Sequence, residues 1–408
     1  MNRGFYIILA AQFFSALADN ALLFAAIALL ATLAAPDWQI PVLQQFFVFA
    51  YIALAPFVGT FADALPKGRV MFISNAVKIG GCAAMLLGLH PLYAYGLVGI
   101  GAAMYSPAKY GILTECLPHH KLVLANGWME GFTVAAIILG AILGGLFLAP
   151  AFSNRFLQGG TALFQANIDT APKLAILIIL CIYTLAALFN LYIPRLAIDH
   201  KPPSRHPLFI LKDFWHSFTL LWRDPLGQVS LAVTTLFWGA GATLRLIILS
   251  WAMLTLSFDL ERATQLTAVV AAGIAIGSAF AARFVPLKGA VRVLPVGIAM
   301  GFAVMAMAFV SDWRVAVAFL TVIGAMGGYF VVPMNALLQH RGHLLMGAGH
   351  SIAVQNFNEN LSILALLGVY ALMIRAEMSV HAIIVAFGLF ISSVMFIVYR
   401  VHRDDAVQ

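Results

Sequence analysis

Four ionisable side chains, Asp19, Lys78, Lys109 and Arg245, stand inside stretches otherwise rich in Leu, Ala, Phe, Ile and Gly. At the centre of a membrane helix such a group costs roughly 2.5–3.5 kcal/mol on insertion scales, so each needs a partner or a task. The chemistry open to them is to hold a charged group of a solute or to carry a proton. Asp19 falls in the run Gln12 to Phe24, where Gln12, Ser15 and Asp19 recur at three- and four-residue spacing and share one helix stripe. That stripe must face water or other polar groups. Asp19 and Asn20 also have a plainer reading, as polar glue between neighbouring helices. Thr234, Trp238, Gly241 and Arg245 share a second stripe, which would point a guanidinium and an indole into an interior. The plainer alternative for Arg245 is an ion pair with Asp19 or Glu359 that closes the bundle. Lys109 follows Pro107, a residue that interrupts helix hydrogen bonding, and either meets a substrate near one mouth of the bundle or snorkels to the interface. Lys78 either snorkels or bonds within its own half.

The elements that position these residues are apolar spans. Of 408 residues, 62% are hydrophobic and 10% charged, and the apolar runs repeatedly reach bilayer-crossing length. The chain is therefore expected to be an all-α polytopic membrane protein. Its twelve transmembrane helices are predicted at about 5–34, 42–62, 70–89, 92–114, 125–149, 173–194, 226–257, 263–285, 291–310, 313–339, 347–375 and 379–400. The longest segment left outside, 195–225, is too short to bury a core of its own. The run from Phe5 to Ala34 is too long for a signal-peptide core and is kept as a mature helix. A net charge of +7 is explained by orientation at a membrane surface, without nucleic acid. About fifteen Lys and Arg fall on the side of both termini, against Arg155, Lys173, Arg262, Arg314 and Arg375 on the other, which places the termini in the cytoplasm. Cys82, Cys116 and Cys181 form no disulfide or zinc pattern, and no metal or cofactor is called for.

The chain also divides. Lys201-Pro202-Pro203-Ser204-Arg205-His206-Pro207 marks a cytoplasmic linker, 195–225, between six-helix bundles at 1–194 and 226–408. Gly101, Pro107 and Lys109 in the fourth helix recur as Gly327, Pro333 and Asn335 in the tenth. Asn126 and Glu130 in the fifth recur as Gln355 and Glu359 in the eleventh, each pair four apart on one face. Repeats of this kind place a substrate site where the halves meet. Glu130 and Glu359, near their helix starts, suit gating or interhelix roles favoured by the helix dipole. Gly140 with Gly144, and Gly273 with Gly277, are small-xxx-small pairs that permit close helix contact.

The segment Gly59-Thr-Phe-Ala-Asp63-Ala-Leu-Pro66-Lys67-Gly68-Arg69-Val70 resembles the loop between helices two and three of the major facilitator superfamily. The resemblance implies that Gly59 allows close helix approach while Asp63, Lys67 and Arg69 latch the cytoplasmic side. It also implies that helices five and eight meet, so the glycine pairs suit a sliding contact. The second half keeps only a degraded counterpart between Gly277 and Arg292, which implies one latch. Four further motifs, Gln12 to Phe24, Tyr105 to Leu113, Leu236 to Arg245 and Val332 to Gln339, together resemble the bacterial lysophospholipid transporter family. That resemblance spans about Phe5 to Arg400. It implies a flippase that moves lysophospholipids, chiefly lysophosphatidylethanolamine, from the outer to the inner leaflet of the cytoplasmic membrane. A separate acyltransferase would then restore the missing chain, and lysophospholipid and membrane lipids would be the partners. A lysophosphatidylethanolamine head carries an ammonium that a carboxylate matches and a phosphate that an arginine can grip with paired hydrogen bonds. Asp19, Asn20, Lys109, Trp238 and Arg245 are the substrate-binding residues expected on this basis.

Two other classes remain as rivals. A membrane acyltransferase would need a His-x4-Asp pattern, which none of the eleven histidines carries, or another nucleophile and base, so the chain is not expected to be an enzyme. A proton-coupled facilitator for a small solute or drug would use Asp19 or Glu130 as proton carrier, and would move its cargo without needing an acyl chain. A receptor on a transporter scaffold would bind without translocation.

Overall fold

The computed structural model describes residues 3–36, 39–157, 168–194, 206–258 and 260–402, and every regular element in them is a helix. Arg195, Lys201, Arg205 and Arg403, four of the residues that set the expected orientation, lie outside the described residues, as does the start of the predicted linker. The first long helices are α1 (Arg3–Thr32), α2 (Gln39–Ala64), α3 (Lys67–Leu86), α4 (Pro91–Cys116) and α5 (Leu122–Leu148). The short α6 (Pro150–Leu157) precedes α7 (Ala171–Leu191). After α8 (Pro207–Arg223) come α9 (Pro225–Thr255), α10 (Leu260–Phe284), α11 (Leu294–Met307), α12 (Trp313–Leu345), α13 (Ala348–Arg375) and α14 (Val380–His402). Among the described residues, 11 helical stretches are long and apolar enough to cross a membrane. The predicted span at 92–114 forms α4 but is not one of them. Its Tyr, Ser, Pro and Lys residues dilute the apolar run, and much of it is buried against other helices.

Proline chemistry sets two boundaries that matter for the site. Pro66 disfavours helical backbone at Leu65, ending α2, and its carbonyl then accepts from the amides of Arg69 and Val70 to start α3. Lys67 thereby stands in the first turn of α3, with its side chain turned back toward α2. Pro207 begins α8 within the segment read as a cytoplasmic linker, and the His206 carbonyl accepts from Phe209 and Ile210. Its buried residues Phe214, Ser217 and Leu221 fall on one face, while Leu208, Lys212, Trp215, His216 and Arg223 are exposed.

The residues gather into two compact units. One comprises Met1–Cys116, Ala135–Phe214 and Ala348–Ala353; the other comprises Leu117–Val134, Trp215–Gly347 and Val354–Gln408. Each of α5, α8 and α13 is therefore shared. The first unit has a core around Leu22, Leu30, Met85, Tyr95, Ile176 and Tyr183. The glycine pairs do not mark the sliding contact expected of them. A Cβ added at Gly140 would stand 2.7 Å from Asn20 Cβ and 2.8 Å from the Leu17 carbonyl oxygen, so this glycine seats α5 on α1. Gly273 and Gly277 instead seat α10 against the backbone of α12 at Thr321 and Ala325. The contact between α5 and α10 occurs at Gly127, where an added Cβ would stand 3.0 Å from the Ser278 carbonyl oxygen.

Candidate functional site

A polar cavity of about 70 Å³ lies inside the first unit, bounded by α1, α2, α3 and α4. The stripe Gln12, Ser15, Asp19 from α1 lines it, opposite Lys78 of α3 and Tyr105, Ser106 and Lys109 of α4. Asp19 is an ion-pair partner as well as a lining residue. Lys78 Nζ donates to Asp19 Oδ2 at 2.9 Å and to Ser15 Oγ at 3.0 Å, and the Tyr183 hydroxyl donates to Asp19 Oδ1 at 2.6 Å. Ser15 in turn donates to Asn75 Oδ1 at 2.9 Å. The Lys78 side chain is only 1% exposed, so its charge depends on these acceptors and on the faces of Tyr105 and Tyr183, whose centroids lie 4.9 and 5.5 Å away. It bonds within the first unit and does not snorkel. Asp19 retains 24% exposure, and Lys109 is half-buried with its Nζ 4.5 Å from the Tyr110 ring centroid. One carboxylate and two ammonium groups thus face a single small cavity. Asn20, one residue on, is half-buried toward α5, and its amide donates to the Ala16 carbonyl at 2.8 Å.

The predicted latch residues form a second cluster in the same unit. Asp63 Oδ1 accepts from the Gly349 amide at 2.8 Å and from Lys67 Nζ at 2.6 Å. Its Oδ2 accepts from the His350 amide at 3.1 Å and lies 2.6 Å from His350 Nδ1. These amides open the first turn of α13, where free N–H groups and the helix dipole favour an anion. Gly59 makes the approach possible: an added Cβ would stand 3.0 Å from Ala353 Cβ and 3.1 Å from His350 Cα. Lys67, 3% exposed, also donates to the Ala62 carbonyl at 2.7 Å and lies 3.3 Å from Glu115. The cation that bonds Asp63 is Lys67, and Arg69 is exposed. His350 Nε2 lies 3.2 Å from Asp213 of α8.

The second unit pairs buried amides with one another and with a carboxyl group. Asn126 and Gln339 exchange side-chain hydrogen bonds at 2.9 and 2.8 Å, both fully buried or nearly so. Gln355 donates from Nε2 to Glu359 Oε1 at 2.7 Å and to Asn335 Oδ1 at 2.9 Å, and Glu130 is buried nearby in the same unit. Arg245 in α9 is exposed, without an ion-pair partner among the described residues, and Trp238 two turns earlier is half-buried. At the boundary of α8 and α9, Asp224 caps α9 through the Gly227 amide at 2.8 Å and takes a two-pronged bond from Arg341. Burial works against ionisation of Asp224, but the Arg341 hydrogen bond and the Gly227 amide outweigh it and hold the carboxyl below its usual range.

The residues least visible in the sequence are the partners: Tyr183, Asn75, His350, Asp213 and Gln339. Lys78 did carry a signal, since Ser74, Asn75 and Lys78 form a polar stripe on α3 much like the one on α1.

Comparisons with known proteins agree on family. The Major Facilitator Superfamily profile matches residues 8–365. The protein "Lysophospholipid transporter LplT" of Yersinia enterocolitica serotype O:8 / biotype 1B is 43% identical over 383 residues, covering 94% of this chain and 90% of that protein. Its namesake in Yersinia pestis (strain Pestoides F) is 44% identical over 384 residues, with the same coverage of both. Among solved structures, the transporter FucP in its outward conformation superposes with a TM-score of 0.74 at 16% identity, covering 97% of each chain. A bacterial homologue of the iron transporter ferroportin, in an outward-facing state, gives 0.71 at 16% identity over 100% of each chain.

Proposed function

This chain belongs to the Major Facilitator Superfamily, and from that membership we propose that it transports lysophospholipids across the bacterial cytoplasmic membrane. The observation that carries the reading is near-full-length identity, 43–44%, to proteins named as lysophospholipid transporters. The cavity of the first unit is consistent with such a cargo. Asp19 offers an acceptor to a headgroup ammonium, while Lys109 offers a cation to the phosphate. Arg245, exposed on α9 on the same stripe as Trp238, is the proposed second phosphate ligand. In this reading Gly59, Asp63, Lys67, Arg69, Glu130 and Glu359 serve gating. The bundles at 1–194 and 226–408 rock about the substrate site to give alternating access. Lipid moves from the outer to the inner leaflet, both termini are cytoplasmic, and a separate acyltransferase consumes the product.

The test is inward movement of labelled lysophosphatidylethanolamine, and of glycerophosphoethanolamine lacking the acyl chain, in liposomes containing the parent, Asp19→Asn or Arg245→Ala at matched levels. The expected result is that lysolipid moves, the chainless head does not, and both folded variants lose most transport. No lysolipid movement by the parent overturns the function. Parent-like transport by both variants leaves the function and removes those residues from the binding site.

A further inference from the structure

The Lys78 ammonium sits in a receptor built for an ammonium. Asp19 Oδ2 at 2.9 Å and Ser15 Oγ at 3.0 Å accept its protons, and the Tyr105 and Tyr183 rings flank it at 4.9 and 5.5 Å. Carboxylate, hydroxyl and aromatic faces are the groups that recognise an alkylammonium ligand. The carboxylate is fixed from its other side by the Tyr183 hydroxyl, and Ser15 is oriented by Asn75. The lysine stem reaches this position alongside Gly101, where an added Cβ would stand 2.7 Å from Lys78 Cγ. The receptor opens on the cavity that Lys109 also lines. A headgroup ammonium that enters this cavity therefore finds Asp19 already paired.

We propose that Lys78 is a specificity-determining residue, a tethered ammonium that occupies the headgroup-amine position on Asp19 and must be displaced by any substrate amine. The inference rests on the lysophospholipid reading above for its transport consequence, but the ammonium receptor itself does not. With Lys78 in place, the three charges at the cavity sum to one positive charge, from Asp19, Lys78 and Lys109. An anionic headgroup without an amine then suits the cavity about as well as a zwitterionic one. Without the Lys78 charge, Asp19 is left unpaired, and only a head that brings its own ammonium satisfies it. Lys78 thus tunes the site away from strict amine selection.

Two readouts test this on the purified full chain. In liposomes, the ratio of lysophosphatidylethanolamine to lysophosphatidylglycerol transport, with matched acyl chains, should rise at least about tenfold in Lys78→Ala, the value of one charge-assisted hydrogen bond. Lys78→Arg should stay near the parent ratio. In detergent, millimolar ethylammonium chloride should raise the unfolding midpoint of Lys78→Ala and not that of the parent, with sodium chloride as the control. Lys78→Gln, which keeps hydrogen bonding but not charge, gives both readouts if the alanine variant does not fold. A ratio within about twofold of the parent, together with no ethylammonium effect, overturns the proposal. So does failure of both variants to fold when ethylammonium is present throughout purification. Ethylammonium stabilisation with no lysolipid transport by the parent leaves the ammonium receptor standing and removes the transport reading instead.

Discussion

Replacing Asp63 by alanine should release the first turn of α13. The carboxylate accepts hydrogen bonds from the Gly349 and His350 amides at 2.8 and 3.1 Å, from His350 Nδ1 at 2.6 Å and from Lys67 Nζ at 2.6 Å. A hydrogen bond to a charged group contributes about 1.5–3 kcal/mol when its loss leaves the partner buried. The loss is partial here. The His350 side chain is 14% exposed and can turn to water, and Lys67 keeps the Ala62 carbonyl and Glu115. A net local cost of about 3 kcal/mol results, at the low end for breaking a buried ion pair by removing one member. Divided by 1.4 kcal/mol per decade, this makes amide exchange about 100-fold faster wherever opening of that turn controls it. Hydrogen–deuterium exchange with mass spectrometry on peptides covering 347–353 reads it directly. Asp63→Asn keeps one acceptor oxygen and should fall between parent and alanine. A peptide covering Thr321–Ala325, where α12 meets α10, should be unchanged and certifies the fold. If 347–353 exchanges within about threefold of the parent in Asp63→Ala while that control holds, the carboxylate does not secure the turn and the latch argument fails.

Asp224 gives a pH test. Its folded-state pKa lies below the unfolded value, because Arg341 and the Gly227 amide outweigh burial, so its contribution is present in full above the unfolded pKa and is lost as pH falls through the folded one. Thermal melts from about pH 6 down to about pH 3 should therefore show the parent losing its advantage over Asp224→Asn, an advantage of about 1–2 kcal/mol at neutral pH from the cap and the Arg341 bond; a pH-independent difference refutes it. Gly140→Val should lower the unfolding midpoint, since its Cβ would meet Asn20 and the Leu17 carbonyl at under 3 Å, and overpacking of this kind costs about 1–3 kcal/mol. Gly131→Ala, with nothing within 4 Å of the added carbon, should leave the melt unchanged or raise it; equal losses for both would refute the α1 to α5 packing.

The helix pattern was readable because membrane spans are long, apolar and self-contained in hydrogen bonding, so local composition decides them. Partners were not readable, because they are chosen by tertiary approach. Asp19 announced itself as costly in lipid, but its cation comes from a residue 59 positions away and its phenol from one 164 positions away. Asp63 was expected to work with both Lys67 and Arg69, yet the bend at Pro66 aims Lys67 back at it and leaves Arg69 exposed. The helix α8 was hidden for a different reason: the prolines around 202–207 read as linker, although Phe214, Ser217 and Leu221 already spaced a buried face.

The repeat itself shows how two similar segments came to differ. Pro107 and Pro333 both lie buried inside unbroken helices, each with a polar residue two positions on. In α4 that residue is Lys109, at a cavity shared with Asp19 and Lys78; in α12 it is Asn335, an acceptor for the Gln355 amide. An ammonium needs an anion or open water, whereas an amide is satisfied by another amide within a dry interior. The same backbone frame therefore sets a cation at a cavity in one unit and an amide acceptor in a buried hydrogen-bond network in the other. Headgroup chemistry should accordingly respond to substitutions at 19, 78 and 109, whereas substitutions at 126, 335, 339 and 355 should act first on stability.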